Sequence, residues 1–253
     1  MAARVNWKEW LRRWDEQQES FHLERERRFS AMLDAVEATQ PRRLRALDLG
    51  SGPGSLSVRL LRRFPRATVT AVDYDPVALR VGEGALGSYR GRLSWVDARM
   101  GAPGWTKALP SGRFHAALST TALHWLAPAP LRALYADLRR LLLPGGIFLN
   151  GDFLPWGPSY RRFSRMAKGV REARLHGASA ARQWAAWSRW WKDAEKVPAL
   201  APAFQLREER HSQHPRTGDL PLDLHLRALR RAGFRDAQVV WQDFENRVLC
   251  AVR

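Results

Sequence analysis

Residues 47–56 read LDLGSGPGSL, an apolar segment that leads directly into glycines at alternate positions, Gly50, Gly52 and Gly54. Glycine reaches backbone conformations that other residues avoid, and it lets the chain approach a ligand closely. The apolar residues 44–49 are predicted to form a buried strand, and residues 55–64 a helix with one apolar face. The loop between them therefore faces a ligand, which is either a pyrophosphate or a group of different charge.

Further strands and helices alternate along the chain after this loop. The segments predicted as strands are 67–72, 93–96, 114–119 and 147–149. Asp75 and Pro76 have the order of an N-cap and a first-turn proline, and residues 130–143 carry leucines at helical spacing before the sequence PGG at 144–146. Strands that alternate with helices indicate a parallel sheet with helices on both faces.

The last part of the chain repeats this pattern with one change of direction. A helix is predicted at 223–232, where Gly233 ends it, and strands are predicted at 237–242 and 247–252. The few residues between these strands are too short a connection for a crossover, so the strands pair antiparallel. The predicted fold is therefore α/β: a doubly wound, mostly parallel seven-stranded sheet with an antiparallel C-terminal hairpin.

The predicted sheet domain covers residues 41–152 and 220–253, and it carries two helical additions. Residues 1–40 form an N-terminal arm with one long helix, 5–38, whose large apolar residues recur at helical spacing. The helical insert at 153–219 leaves the sheet at its carboxyl edge, where doubly wound folds bind ligands. The insert is therefore a candidate lid.

Tryptophans are concentrated in both additions. Those of the arm are expected to pack it onto the sheet domain, and they are Trp7, Trp10 and Trp14. In a helix predicted around 178–195, a second set shares one face and favours a buried stripe, namely Trp184, Trp187 and Trp191. Trp190 lies on an adjoining face and is expected to line a pocket or the surface.

The composition, with 45% hydrophobic and 26% charged residues, is typical of a soluble globular protein. No apolar run approaches the length of a membrane span, and the first residues, MAARVNWKEW, lack the apolar core of a signal peptide. The single cysteine, Cys250, cannot form an internal disulfide. These features predict a cytoplasmic protein without a membrane partner.

The net charge of +17 has two interpretations. A strongly basic chain can bind nucleic acid, but only five of the 42 basic residues are lysine, and the arginines are spread over every segment rather than gathered in one tract. Such a distribution also fits a solvated basic surface, because net charge bears on solubility and partners rather than on fold. Nucleic acid is a candidate partner but not the favoured one.

Acidic residues at the strand ends indicate the charge of the ligand. Asp48 lies two residues before Gly50, where its carboxylate would repel a pyrophosphate and attract a sulfonium or an ammonium group. Asp73 follows the loop by about 20 residues, the offset at which a carboxylate meets ribose hydroxyls. The glycine loop therefore suits a cation that carries a sugar better than a diphosphate.

The residues beside the second and third strands fit the base of the same ligand. Tyr74 is placed to cover an adenine face. Asp97, at the end of the third strand, is expected to accept a hydrogen bond from an exocyclic amine, and the backbone N–H of Ala98 is expected to be free for a ring nitrogen. Asp75 is expected to cap a helix rather than to bind the ligand.

Together these motifs resemble the class I S-adenosylmethionine-dependent methyltransferases. LDLGSGPG is similar to the first motif of that family, AVDYD to the second and WVDA to the third. LLLPGGIFLNGD and the closing helix and hairpin are similar as well, so the resemblance covers most of residues 40–152 and 220–253. It implies S-adenosylmethionine as cofactor and no metal. The expected cofactor site consists of Asp48, Gly50, Ser51, Gly52, Gly54, Asp73, Tyr74, Asp97, Ala98 and Ser119.

The segment STTALHWL at 119–126 resembles the branch that contains trans-aconitate methyltransferase, malonyl-carrier-protein methyltransferase and a wobble-uridine carboxy-S-adenosylmethionine synthase. His124 in this segment is the candidate catalytic residue, because histidine titrates near neutrality and suits a general base. The alternative is a structural histidine that packs beside Trp125. Methyl transfer also proceeds by positioning and desolvation, which requires no base.

Other side chains in or near the insert are weaker candidates to face the pocket: Asp152, Tyr160, His211 and His214. In the arm, Arg25 or Arg28 is a candidate for the methionine carboxylate of the cofactor. The predicted function is methyl transfer to a small, partly apolar acceptor, with the acceptor atom and the oligomeric state left open. The alternatives are an RNA-modifying enzyme and a protein that binds the cofactor without catalysis.

Overall fold

The computed structural model describes residues 5–174, 180–211 and 220–253. In these residues, seven strands form one sheet in the order β3-β2-β1-β4-β5-β7-β6. They are β1 (Arg45–Leu49), β2 (Thr68–Asp73), β3 (Leu93–Asp97), β4 (Phe114–Thr120), β5 (Leu142–Phe153), β6 (Asp236–Asp243) and β7 (Asn246–Val252). Strands β1–β5 are parallel, and β7 is antiparallel to both β5 and β6. The predicted α/β fold with its C-terminal hairpin is confirmed.

Helices cover both faces of the sheet and extend beyond its carboxyl edge. They are α1 (Trp7–Phe21), α2 (Arg25–Thr39), α3 (Ser55–Arg63), α4 (Pro76–Leu86), α5 (Pro128–Leu141), α6 (Arg161–Arg174), α7 (Ala180–Glu195), α8 (Ala201–His211) and α9 (Leu222–Arg231). One core cluster packs the sheet against α5 and α9, and a second packs it against α2 and α3. Asp75 caps α4 by accepting from the N–H groups of Val77 and Ala78, as predicted.

The N-terminal arm is two helices rather than the single helix predicted at 5–38. Helix α1 ends at Phe21, and α2 begins after Glu24, which has a left-handed conformation with φ of 65°. The prediction was wrong because neither glycine nor proline interrupts this stretch, and the apolar spacing continues across the break. The turn places Arg25 and Arg28 of α2 in the interior.

The connection from α5 to β5 also differs from the prediction. Helix α5 ends at Leu141 and β5 begins at Leu142, so the PGG sequence at 144–146 lies within the strand instead of before it. The pairing of β5 with β4 is irregular between Phe114 and Ala116. This irregularity accommodates the proline and glycines, which disfavour regular strand pairing.

A third apolar cluster joins the arm to the insert. Trp190 of α7 is only 2% exposed and contacts Trp10 and Trp14 of α1 edge to face, with ring centroids 5.6 and 5.0 Å apart. The expectation that Trp190 lines a pocket or the surface is therefore wrong, and Trp184 of the expected buried stripe is 46% exposed. The arm tryptophans do pack onto the sheet domain, where Trp7 lies against Gly84 of α4.

None of the helices in the described parts of the chain combines the length and apolarity that crossing a bilayer needs. The same residues contain no group of three or more His, Cys, Asp or Glu side chains that could hold a metal ion.

Candidate functional site

The sheet register gathers the predicted site residues at one edge. Asp73 pairs with Asp97 across β2 and β3, and Leu49 of β1, next to Gly50, pairs with Ser119 of β4. Ser119 in turn pairs with Asn150 of β5, two residues before Asp152. Because these strands are parallel, their carboxyl ends form a continuous row from Asp97 to Asp152, which is where doubly wound folds bind ligands.

The glycine loop turns its N–H groups into the protein. Gly50 and Ser51 donate to the carbonyl of Val72 at 2.8 and 3.1 Å, Gly52 donates to Oδ2 of Asp73 at 2.6 Å, and Gly54 donates to the carbonyl of Ser51 at 2.9 Å. Pro53 has no N–H to offer. A diphosphate needs free N–H groups in such a loop, so this conformation disfavours one.

An acidic side chain from α1, Asp15, also contacts the first turn of α3. The hydroxyl of Ser55 donates to Oδ1 of Asp15 at 2.6 Å, and Asp15 pairs with Arg25 and Arg59 at 3.0 and 3.3 Å. A carboxylate of the protein therefore lies at the helix N-terminus where a dinucleotide enzyme binds pyrophosphate. This network was not predicted, since Asp15 lies 40 residues before the turn in the sequence.

Asp73 joins the glycine loop to the segment after β2. Its carboxylate accepts from the N–H groups of Gly52 at 2.6 Å, Tyr74 at 2.7 Å and Asp75 at 2.8 Å. Burial raises the pKa of Asp73 to about 6, although these donors oppose the increase. Asp73, the residue predicted to bind the ribose, is therefore held in place by backbone N–H groups of the glycine loop and of the segment after β2.

Asp48 is buried beneath the loop and only half satisfied. Its Oδ2 accepts from the hydroxyl of Ser57 at 2.6 Å, while Oδ1 has no hydrogen-bond partner in the described residues. Burial raises the pKa of Asp48 to about 7, with a further contribution from the charge of Asp73, and the Ser57 hydroxyl opposes the increase. A buried carboxylate oxygen without a donor is costly, and a cationic ligand would satisfy it.

The adenine end of the predicted site is covered by α8. Arg210 donates to both carboxylate oxygens of Asp97 at 2.9 and 2.8 Å and to the carbonyl of Tyr74 at 2.7 Å, and its guanidinium lies 4.4 Å from the centre of the Tyr74 ring. The N–H of Ala98 donates to the carbonyl of Asp73 at 2.9 Å. It is therefore not free for a ring nitrogen, because the register of β3 with β2 continues one residue beyond the strand.

The segment after β4 presses directly on the glycine loop. Thr121 has φ of 50°, a conformation that strains a β-branched residue, and a Cβ atom placed on Gly50 would overlap the Cβ of Ala122. Ser119 donates its hydroxyl to the carbonyl of Leu49 at 2.7 Å. The chain that carries His124 is therefore held against the loop by close packing, and Gly50 cannot be replaced without displacing it.

His124 and Asp152, which were predicted separately, form a pair. Nδ1 of His124 lies 2.9 Å from Oδ1 of Asp152, and the two side chains are 18% and 1% exposed. Burial alone would raise the pKa of Asp152, but His124 and Arg28 outweigh it, so the pKa lies below its usual value. An ionised Asp152 can only accept, so Nδ1 carries a proton, and in the neutral form of the ring the basic lone pair lies on Nε2.

The remaining candidates fall into three groups. Arg25 is paired with Asp15, whereas Arg28 is buried beside the His124–Asp152 pair. Tyr160 is 54% exposed, and its ring lies 6.3 Å from that of Phe163 within the insert. The side chain of His211 and the whole of His214 lie outside the residues that the structure describes.

Comparison with known proteins agrees with this geometry. A family defined as a methyltransferase domain matches residues 46–146. The chain is 33% identical over 131 residues to a malonyl-[acyl-carrier protein] O-methyltransferase of Geobacter sulfurreducens, a match that covers 50% of this chain and 46% of that protein. It is 31% identical over 168 residues to a trans-aconitate 2-methyltransferase of Azoarcus, covering 66% of this chain and 61% of that protein.

The chain thus spans about half to three fifths of the length of these two relatives. Among solved structures, human N-acetylserotonin methyltransferase in complex with S-adenosylmethionine is similar in fold, with a TM-score of 0.52 and 15% identity over 89% of this chain and 51% of that one. The half-satisfied carboxylate of Asp48 and the inward-turned glycine loop are compatible with a positively charged ligand such as S-adenosylmethionine. Residues 46–146 thus match a methyltransferase domain, and the chain is similar to the branch of S-adenosylmethionine-dependent methyltransferases that these two relatives represent.

Proposed function

We propose that this protein transfers the methyl group of S-adenosylmethionine to a small organic acceptor, with His124 as general base. One observation carries the proposal: the glycine loop and the His124–Asp152 pair are neighbours along one sheet edge. Gly50 contacts Ala122, two residues before His124, and His124 bonds Asp152 at 2.9 Å. This proximity supports a cofactor site with a base beside it, which is the arrangement that a group transfer requires.

The position of each predicted cofactor residue other than Ala98 suggests a role. Asp48 and the Gly50–Gly54 loop would hold the positively charged methionine end, and Asp73 the ribose. Tyr74 and Asp97 would hold adenine once Arg210 withdraws from them. When bound, the cofactor supplies an electrophilic methyl group on a sulfonium. Ser51 and Ser119 support the loop, since Ser51 accepts from Gly54 and Ser119 donates to Leu49.

The His124–Asp152 pair would manage the proton of the acceptor. Nε2 of His124 would take the proton from an acceptor O–H or N–H as the acceptor atom bonds the methyl carbon. Asp152 would keep Nδ1 protonated, orient the ring and stabilise the imidazolium, as buried carboxylates do for catalytic histidines. An acceptor that is already anionic needs no base, and His124 would then position it.

The arm (1–40) and the insert (153–219) would close the site over the acceptor as separate elements beside the sheet domain (41–152 and 220–253). Exposed apolar side chains support this role: Trp125 lies next to His124, and Tyr160, Phe163 and Met166 lie at the start of the insert. Their exposure suits a partly apolar acceptor, because a lid that removes water aligns the reacting groups.

The test is transfer of a labelled methyl group from S-adenosylmethionine to a panel of small carboxylic acids, phenols and amines. We expect product with at least one class, and a large loss of rate in His124→Gln with unchanged cofactor affinity. Cofactor binding without transfer to any acceptor would favour a non-catalytic role, and transfer to RNA in the same assay would favour the nucleic-acid alternative.

A further inference from the structure

The amino edge of the sheet, opposite the edge that carries Asp97 and Asp152, has an arginine beside six of its seven strands. In spatial order from β3 to β6 these residues, called the arginine row below, are Arg92, Arg66, Arg45, Arg113, Arg253 and Arg235. Seven neighbouring strands place the two ends of the row about 29 Å apart. The fold thus gathers at one edge arginines that are spread over many segments of the sequence.

Half of the row is held by backbone carbonyl groups rather than by acids. Arg45 donates to the carbonyl of Ser111 at 2.8 Å, and Arg253 donates to the carbonyl of Leu142. Arg92 donates to backbone carbonyls in the same way. A carbonyl group fixes a guanidinium in place but does not neutralise it, because arginine stays protonated at any physiological pH. These side chains therefore keep their full positive charge.

The other half of the row is exposed, and it consists of Arg66, Arg113 and Arg235. No ion pair in the described residues involves a member of the row, whereas the neighbouring Arg63 and Arg140 are paired with acids. Asp236, next to Arg235, is the single acid within two residues of any member along the sequence. The protein itself therefore supplies almost no negative charge to this edge.

Like charges lie close together at the centre of the row. Burial and the charges of Arg113 and Arg139 lower the pKa of Arg253, so both residues lie within electrostatic reach of it. Arg139, in the last turn of α5, donates to the carbonyl of Gly233 at 2.8 Å and has no ion pair in the described part of the chain. A surface lined by charges of one sign attracts ions of the other sign. This edge therefore attracts anions.

The side chains exposed beside the row indicate the class of anion. Protein interfaces and membrane-bound helices present aromatic and apolar side chains. None of the large apolar side chains that are exposed in the described residues flanks the row, and Val240, the one on a strand, lies inside β6. A guanidinium binds phosphate through two parallel N–H bonds. A line of guanidinium groups without apolar neighbours therefore matches a chain of phosphates.

The twist of the sheet favours a flexible chain. Neighbouring strands rotate by about 20–25° relative to one another, so a row across seven strands turns through more than a right angle. A single-stranded nucleic acid can follow such a path. A straight duplex can contact only part of it.

We propose that the arginine row binds the phosphate backbone of a single-stranded nucleic acid, without preference for base sequence. Strand β1 has five residues, so Arg45 at its start lies about 13 Å from Leu49, the residue before the glycine loop. The nucleic acid is therefore a second partner at the opposite edge and not the methyl acceptor. The inference does not depend on the proposed function.

The test is fluorescence anisotropy of the wild-type protein with a labelled oligouridine of about 16 nucleotides, the upper range of common single-strand sites. Phosphate contacts release counterions, so the logarithm of the affinity should fall linearly with the logarithm of the salt concentration. A duplex of the same length and polyglutamate are titrated in parallel. We expect the single strand to bind more tightly than the duplex and polyglutamate to compete weakly.

A triple variant removes the exposed half of the row: Arg66→Gln, Arg113→Gln and Arg235→Gln. These side chains make no hydrogen bond or ion pair in the described residues, so the variant should fold, which thermal unfolding checks. Three lost phosphate contacts should lower the salt slope for a single strand by about 2. The affinity should fall most at low salt.

The matched control is a triple variant of α6 that loses the same net charge: Arg161→Gln, Arg162→Gln and Arg165→Gln. These arginines are also exposed and form no ion pair in the parts of the chain that the structure describes. The control should keep the affinity and the salt slope of the wild type.

Equal losses in the two triple variants would overturn the proposal, because binding would then follow net charge rather than position. Tighter binding of the duplex, or polyglutamate that competes as well as oligouridine, would also overturn it. Saturating oligouridine should leave the calorimetric affinity for S-adenosylmethionine unchanged, since the two edges are separate. Competition between the two ligands would place the nucleic acid at the cofactor edge and contradict the proposal.

Discussion

Arg210 forms a two-point ion pair with Asp97, with nitrogen-to-oxygen distances of 2.9 and 2.8 Å, at the place where the sequence predicts an adenine amine. The arginine and an adenine amine would compete for this carboxylate. Helix α8 also holds Asp75 through Arg207 at 2.7 Å, so its contacts lie directly over the adenosine part of the predicted site. If Asp97 binds the adenine amine as proposed, we expect cofactor binding to require α8 to release Asp97.

We expect Arg210→Gln to bind S-adenosylmethionine more tightly than the wild type, because the competing pair is gone. The pair is partly exposed, with Asp97 at 44%, so the gain is about two- to five-fold, the range of a surface ion pair. Arg207→Gln is the control, since it removes a neighbouring ion pair of α8 without touching Asp97. Weaker binding by Arg210→Gln alone would mean that Arg210 holds the cofactor instead of competing with it.

The His124–Asp152 pair should dominate turnover but not cofactor binding. His124→Gln removes the basic nitrogen, and we expect kcat to fall by about 10²–10⁴ with an acceptor that must lose a proton. Asp152→Asn should also reduce kcat, because an amide no longer fixes the protonated Nδ1. Both are measured by labelled-methyl transfer, with calorimetry of S-adenosylmethionine as the check on the site. Full activity of His124→Gln would contradict this role and would show that His124 only packs in the site.

Asp48 should make both stability and cofactor affinity depend on pH. Its pKa rises from 3.8 to about 7 on folding, so the folded state holds this proton more tightly. The stabilisation is complete below about pH 4 and is lost as the pH rises through 7, by about 4 kcal/mol at most. Asp48→Asn should remove most of this slope in thermal unfolding between pH 6 and 8, and the remaining slope below pH 6 belongs to Asp73, whose pKa is also raised, to about 6.

Cofactor affinity should change in the opposite direction with pH. A cationic ligand favours ionised Asp48, so S-adenosylmethionine should bind more tightly as the pH rises from 5 to 8, with release of a proton. Calorimetry in buffers of different ionisation enthalpy detects that proton. An affinity that is independent of pH in the wild type, or equally dependent in Asp48→Asn, would contradict the placement of Asp48 beside the positive charge.

Gly50 should tolerate no side chain. It has φ of 68°, and an added Cβ would overlap Ala122, whose backbone leads to His124. We expect Gly50→Ala to lose cofactor binding and to lower the free energy of unfolding by about 1–3 kcal/mol. Gly91→Ala is the control, because Gly91 also has positive φ, at 76°, but an added Cβ there meets nothing within 4 Å. If both substitutions changed cofactor binding and the free energy of unfolding equally, the contact with Ala122 would not be the cause.

The parts of the fold that were predicted correctly are those that local sequence determines. Alternating short apolar segments and helical spacings identify the strands, and the close spacing of the last two segments requires the antiparallel hairpin. The carboxyl ends of parallel strands meet at one edge, so the sequence alone places Asp48, Asp73 and Asp97 together. The N-cap of Asp75 depends only on residues next to it.

Apart from the local errors at the α1–α2 break and at the PGG sequence of β5, the errors concern contacts between segments far apart in the sequence or the exact end of a strand pairing. Arg210 lies 113 residues from Asp97, and nothing near either residue indicates the pair. The prediction for Trp190 was wrong because the spacing of tryptophans along a helix shows which of them share a face. It does not show which face of that helix contacts α1. The free N–H expected at Ala98 depends on where the β2–β3 ladder ends, which sequence patterns locate only approximately.

One measurement tests the central claim most directly: parallel calorimetric titration of the protein with S-adenosylmethionine and with NAD, repeated on Asp73→Ala. The claim is that the Gly50–Gly54 loop and the strand-end acids bind a positively charged nucleoside. We therefore expect S-adenosylmethionine to bind, NAD not to bind, and Asp73→Ala to weaken S-adenosylmethionine by about 1.5–3 kcal/mol through the lost ribose hydrogen bonds. Binding of NAD without binding of S-adenosylmethionine would contradict the claim.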